Sequence, residues 1–163
     1  MKILIVSLPR TGSSELIWRL STYLGLRYVY EPFDTTGRWE YIDGEDDVVV
    51  KSLIFDKTEE YESNIDFYVD LARSFDKVIL LTRKNLKECA ESWAYYRTIK
   101  DSTGEMTMHK YKWKQTDNFE KSFKDILEWN RQLTQLSQKL NIGLTYYEDI
   151  FDVNSPERYR SNL

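Results

Sequence analysis

The chain is poor in residues that staple or ligate. Its 163 residues include one cysteine, Cys89, and one histidine, His109. That excludes an internal disulfide framework, a cysteine-based zinc cluster and a multi-histidine metal centre, and it fits a reducing cytoplasm. Six glycines and three prolines leave no material for a flexible linker, and neither an internal repeat nor a low-complexity tract is present. Positive charge is in deficit: 23 basic against 27 acidic side chains give a net charge of -4, so no general basic field exists to hold nucleic acid or an anionic membrane. The longest early apolar run, Ile3 to Val6, is too short for a signal-peptide core or a membrane span. The expectation is one soluble, cytoplasmic domain, residues 1–163, in which any anion is held by a local site.

Against these absences stand four short β-rich runs: Ile3 to Ser7, Val48 to Phe55, Lys77 to Thr82 and Ile142 to Tyr147. Their near-continuous apolar character suits strands buried on both faces. Helical patterns lie between them. The first carries Leu16, Ile17, Leu20 and Leu24 on one face, with Gly25 where a left-handed cap would stand. The second spans about Thr58 to Phe75, with Ile65, Tyr68, Leu71 and Ala72 inward. The third begins at Asn85, a capping residue, with Glu88 in the reciprocal capping position. The fourth opens at Asp117 and repeats Phe119, Phe123, Ile126, Leu133, Leu136 and Leu140. Strands alternating with helices predict an α/β layered fold with a mainly parallel sheet. The segment Asp101 to Thr116 has the weakest periodicity and reads as a long loop.

Charge is segregated along the chain. Glu31 to Asp70 holds 13 acidic and 3 basic residues, while Arg73 to Lys124 holds 12 basic and 7 acidic. An anion site drawing on the second half is one reading, and plain solvation of helix faces is the other.

SLPRTGSS, Ser7 to Ser14, leaves the first strand and enters the first helix. A turn there aims unpaired N–H groups and the positive end of the helix dipole above the sheet, and Gly12 permits close approach. Arg10 adds a planar cation; Thr11, Ser13 and Ser14 add hydroxyls. This is a phosphate or sulfate cradle. It is not a Walker loop, because Ser13 follows Gly12 where lysine would stand and no glycine lies five residues earlier. GxGxxG is absent too. Arg83 and Lys84 leave the third run at the same sheet edge, and Ser92 lies about two helical turns along the next helix, so these three could grip a second phosphate.

PRTGSS after a first strand resembles the 5′-phosphosulfate loop of sulfotransferases that use 3′-phosphoadenosine 5′-phosphosulfate (PAPS). LTRKNLKECAES, Leu81 to Ser92, is similar to that family's 3′-phosphate element, and LTYYEDI, Leu144 to Ile150, to the strand and YED turn that follow. Ser92 lies nine residues after Arg83 and eight after Lys84, so Lys84 holds the family's usual arginine position and the main cation stays open. The resemblance implies a three-layer P-loop-like fold, PAPS as co-substrate, no metal, and a hydroxyl acceptor, either a small molecule or a carbohydrate.

In the same comparison Arg10 would stabilise the departing phosphate. Lys51, followed by Ser52 and Leu53 where many members have a histidine, either reaches the sulfuryl group or snorkels from a buried strand. Glu31, before Pro32, resembles the glutamate base of carbohydrate-type members, and Pro32 is expected to hold it extended. Asp34 and His109 compete for that role. Trp18 reads as packing, while Trp39, Tyr41, Tyr111 and Trp113 are candidates to stack on an acceptor. The family's RKGxxGDW loop has no counterpart here, which implies a more open site, with Arg158 and Arg160 as candidate substitutes. Two other functions stay open: a nucleotide-binding module without catalysis, and a P-loop kinase or hydrolase with an atypical loop.

Overall fold

The computed structural model describes residues 1–33, 46–56, 61–103 and 119–151, with side chains to residue 97 in the third stretch. Five strands, β1 (Lys2–Ser7), β2 (Arg27–Tyr30), β3 (Val48–Leu53), β4 (Lys77–Thr82) and β5 (Leu144–Tyr146), form one sheet. Its order is β2-β3-β1-β4-β5 and every pair is parallel. The helices are α1 (Ser13–Leu24), α2 (Asn64–Ala72), α3 (Leu86–Thr103), α4 (Phe119–Leu140) and the single turn α5 (Tyr147–Ile150). The expected three-layer α/β, P-loop-like arrangement is what the chain adopts, with β1 central and its loop running straight into α1.

The apolar strands read as continuous runs because helices cover both faces. Alternation along each strand divides the sheet into two cores. Leu4, Val6, Val48 and Val50 pack with Phe67, Ile126 and Leu133 under α2, α3 and α4. Ile3, Ile5 and Val49 pack with Leu16, Ile17, Tyr147 and Phe151 under α1 and α5. Among the described residues no helix is long and apolar enough to cross a membrane.

Several boundaries differ from expectation. Arg27–Tyr30 is a fifth strand at the sheet edge, mostly exposed and paired to β3, too short and too polar to show a period. α2 starts at Asn64, where the Ser63 hydroxyl accepts the Asp66 N–H. Its inward face is Phe67, Tyr68 and Leu71. Leu24 ends α1 exposed, and Gly25 is the left-handed cap expected, at φ 68°. β5 gives way at Tyr147 to α5, so the YED segment is a helical turn and not a continuation of strand.

Candidate functional site

Order and connectivity together fix where a ligand can sit. The chain leaving β1 turns to one side of the sheet, toward β2, while the chain leaving β4 goes to the other, toward β5. A crevice therefore opens between the C-terminal ends of β1 and β4, the usual binding position in open α/β sheets. The Ser7–Ser14 loop rims one side and Arg83 the other.

The loop is held from several directions. Leu8 donates its N–H to the Leu81 carbonyl at 3.2 Å, the Cys89 thiol donates to the Pro9 carbonyl at 3.1 Å, and the Thr11 hydroxyl donates to the Leu8 carbonyl at 2.8 Å. Burial pushes the Cys89 thiol up to about 12, so it stays protonated as a donor. Arg10 and Gly12 both have positive φ, 61° and 71°. An added Cβ at Gly12 would lie 2.6 Å from a carbon of the Tyr147 ring, so glycine is required here by both conformation and space. Ser13 is buried in the first turn of α1 and Ser14 exposed.

Arg10 reaches across the crevice. Its Nε donates to Ser92 Oγ at 2.9 Å, and its guanidinium lies 5.9 Å from the Tyr96 ring centre. Burial pulls its pKa below the ordinary value, and the nearby Arg83 charge acts in the same direction. An anion between the two guanidiniums would reverse that trend.

Arg83, 6% exposed, is the hub of the opposite wall. Nη1 donates to the Arg10 carbonyl at 3.3 Å, and the guanidinium lies 4.7 Å from the Tyr147 ring centre. Nη2 is 3.0 Å from Glu88 and Nε 3.7 Å from Glu148, yet both nitrogens are buried without an aligned hydrogen bond. Glu88 thus faces Arg83, whereas its expected place was at the helix cap. Asn85 does cap α3, accepting the Glu88 N–H at 3.1 Å. The reciprocal partner is Glu148, which accepts the N–H groups of Lys84 at 2.9 Å and Asn85 at 3.3 Å. Burial alone would raise the Glu148 pKa, but these N–H groups and Arg83 outweigh it and hold the carboxyl below its usual range.

Lys84 is exposed and ion-paired with Asp149. The structure therefore joins Ser92 to Arg10 and directs Lys84 toward α5.

Glu31 and Lys51 meet at the other end of the sheet edge. Glu31 is not extended: its φ is 44°. Its N–H continues the ladder to the Lys51 carbonyl at 2.8 Å, and its carboxylate pairs with the Lys51 ammonium. Closing both contacts to one residue is what turns the backbone. Lys51 is 3% exposed and lies 4.5 Å from the Tyr30 ring centre. Burial lowers its pKa and Glu31 opposes that shift. It is held inside, not snorkelled.

The sequence reading missed Asp56. It closes the turn after β3: Oδ2 accepts the Leu53 N–H at 2.8 Å and the Ser52 hydroxyl at 3.2 Å, and Ser52 in turn meets the Tyr68 hydroxyl at 2.6 Å. Burial, with Glu31 adding, pushes its carboxyl up to about 6 against the bonds from Leu53 and Ser52 and the charge of Lys51. The available signal was a carboxylate on the turn that leaves a buried strand beside the cradle. Trp18 is 56% exposed on α1 and does not pack, contrary to expectation. Asp34, Trp39, Tyr41, His109, Tyr111, Trp113, Arg158 and Arg160 lie outside the described residues. Among the described residues no group of three or more His, Cys, Asp or Glu side chains is arranged to hold a metal.

The fold and site define an α/β protein with a strand-to-helix loop and two facing arginines at the switch point of a five-stranded parallel sheet. No family model matches the chain and no curated protein matches it. Solved structures similar to the chain include two of α/β architecture. YorR of Bacillus subtilis, in complex with phosphorylated GDP, is 12% identical over 92% of this chain and 93% of its own, with a TM-score of 0.49. A de novo designed protein of P-loop NTPase fold is 16% identical over 90% and 99%, with a TM-score of 0.32. The functional reading rests on the chain's own residues.

Proposed function

We propose that this protein binds PAPS in the β1–β4 crevice and transfers its sulfuryl group to a hydroxyl acceptor. The observation that carries the reading is the 2.9 Å bond from Arg10 to Ser92, which unites side chains 82 residues apart from two segments that each resemble a sulfotransferase phosphate element. The loop N–H groups and the α1 N-terminus suit the 5′-phosphosulfate. Arg10, half-buried beside them, faces the charge that grows on the departing phosphate, where a fixed donor is worth about 3 kcal/mol in the transition state.

Arg83 is the cation for the 3′-phosphate in this reading. Its Nε and Nη2 face Glu148 and Glu88 without an aligned hydrogen bond, whereas the α3 N-terminus is already occupied by Glu148. Lys84 is assigned a lesser, exposed role. Lys51 supplies positive charge toward the transferring group. The acceptor's proton passes to a carboxylate at this edge, and Glu31 is the one the sequence nominates.

Isothermal titration with adenosine 3′,5′-bisphosphate tests the reading. Micromolar binding that Arg10→Ala weakens tenfold or more, about the worth of one charge-assisted contact, is expected. No binding at millimolar nucleotide would sink it. Binding without transfer to any acceptor would leave a nucleotide-binding module, and magnesium-dependent ATP turnover would move the protein to the kinase class.

A further inference from the structure

We infer that Asp56 is the group that takes the acceptor hydroxyl's proton, with the Glu31–Lys51 pair holding the charge beside it. The inference deepens the sulfuryl-transfer reading and rests on it. Asp56 stands where β3 ends, on the edge of the sheet that carries the phosphate loop and Glu31. It is 5% exposed. One oxygen, Oδ2, is fixed by the Leu53 N–H and the Ser52 hydroxyl, and behind it the Tyr68 hydroxyl, 2.6 Å from Ser52 Oγ, donates to the Leu53 carbonyl. Oδ1 accepts no hydrogen bond among the described residues. The carboxylate is thus held, among the described residues, through Oδ2.

Glu31 is differently placed. Its carboxylate is engaged by the Lys51 ammonium, and a carboxylate that must first give up a buried ammonium is a poor proton acceptor. The charged and titratable groups around Asp56 are Glu31 from the β2 end, Lys51 from β3 and Tyr68 from α2. Tyr68 is fully buried and pushed well above its usual range, so it remains a neutral donor. Burial and the Glu31 charge favour the protonated form of Asp56, as a base working near neutral pH requires. Two carboxylates then divide the work by environment.

The step balances. The acceptor oxygen forms its bond to sulfur as its proton moves to Asp56 Oδ1. The bond from sulfur to the bridging phosphate oxygen breaks with its electron pair, which stays on that oxygen of adenosine 3′,5′-bisphosphate. Nothing is oxidised or reduced, and Asp56 returns its proton to water.

The test compares wild type, Asp56→Asn, Asp56→Glu and Glu31→Gln for adenosine 3′,5′-bisphosphate affinity and for transfer from PAPS to two phenols of similar size. 4-Methylphenol keeps its proton at neutral pH, and 4-nitrophenol has largely lost it. Asp56→Asn should keep its nucleotide affinity, lose about 100-fold or more in kcat with 4-methylphenol, and lose much less with 4-nitrophenol. The acid limb of the 4-methylphenol pH profile should vanish with it. Asp56→Glu, which restores a carboxyl, should recover part of the loss.

Equal losses with both phenols, or a selective loss in Glu31→Gln and not in Asp56→Asn, would overturn the inference. Wild-type binding without transfer to either phenol or to water would overturn it too while leaving the nucleotide site standing. No nucleotide binding at all would overturn the underlying reading.

Discussion

Gly12→Ala is the most direct perturbation of the cradle, because two separate penalties can be read from one position. At φ 71° a residue with a Cβ pays roughly 1–2 kcal/mol for the left-handed conformation. The new methyl would also lie 2.6 and 2.8 Å from two carbons of the Tyr147 ring and 3.3 Å from the Phe151 ring. The near atoms belong to an aromatic ring wedged against Phe151, with ring centres 4.8 Å apart, and not to the end of a flexible chain. Overpacking of that kind costs about 1–3 kcal/mol. Together the loss should be about 2–5 kcal/mol, a large part of an ordinary domain's stability.

Urea unfolding would show it as a lower midpoint at unchanged slope. The two parts can be separated with Tyr147→Leu, which shortens the obstacle. In that background Gly12→Ala should cost about 1–3 kcal/mol less, leaving the conformational part. A Gly12→Ala protein within about 0.5 kcal/mol of wild type, or one whose loss does not depend on residue 147, would refute the reasoning.

The remaining predictions are briefer. Folding holds the Asp56 pKa at about 6, above its unfolded value, so the group costs nothing at low pH, costs more as pH rises from about 4 to about 6, and is constant above. The full cost is about 3 kcal/mol. Asp56→Asn should therefore gain stability relative to wild type across that window in urea melts at stepped pH, and a pH-independent difference would contradict this. Arg83→Ala should weaken adenosine 3′,5′-bisphosphate about tenfold or more, while Lys84→Ala, in an exposed ion pair, should change it less than about twofold by titration calorimetry. The reverse order would return the second phosphate to Lys84. Cys89, buried and bonded to Pro9, should resist a thiol reagent in the folded protein and react once unfolded, and equal rates would show that the loop is open.

Much of the fold was legible because burial on both faces leaves a plain mark. The apolar runs of β1, β3 and β4 could hardly be anything but inner strands of a parallel sheet. β2 escaped because RYVY is an edge strand of four residues, and its partner strand, not its own pattern, makes it a strand. In the site, the cradle was legible because its parts are adjacent in sequence. Ser92 was identified as a site residue, but its partner was not, since no local pattern says that a side chain 82 residues away in sequence will meet it. The same holds for Glu148. Its capping of α3 depends on how β5 lies beside β4, and Glu88, which looked like the local cap, is drawn to Arg83 by charge. Glu31 was expected to be extended before Pro32 and is not: its φ is 44°, and it makes two contacts to Lys51 that no local pattern announces.

The contact between Gly12 and Tyr147 carries a consequence for how the molecule comes into being. A chain leaves the ribosome from its N-terminus, so SLPRTGSS emerges before Tyr147 and Glu148 do. The ring that backs it, the carboxylate that caps α3 and the strand that carries both arrive after β4, α3 and α4 have been made. Until then the loop has neither its rear wall nor the Glu148 partner of Arg83. A nascent chain halted in α4 would contain every residue that resembles a phosphate cradle and would still lack a cradle. The rear wall of the loop is completed only when β5 joins the sheet, a property of the assembled sheet and not of the motif.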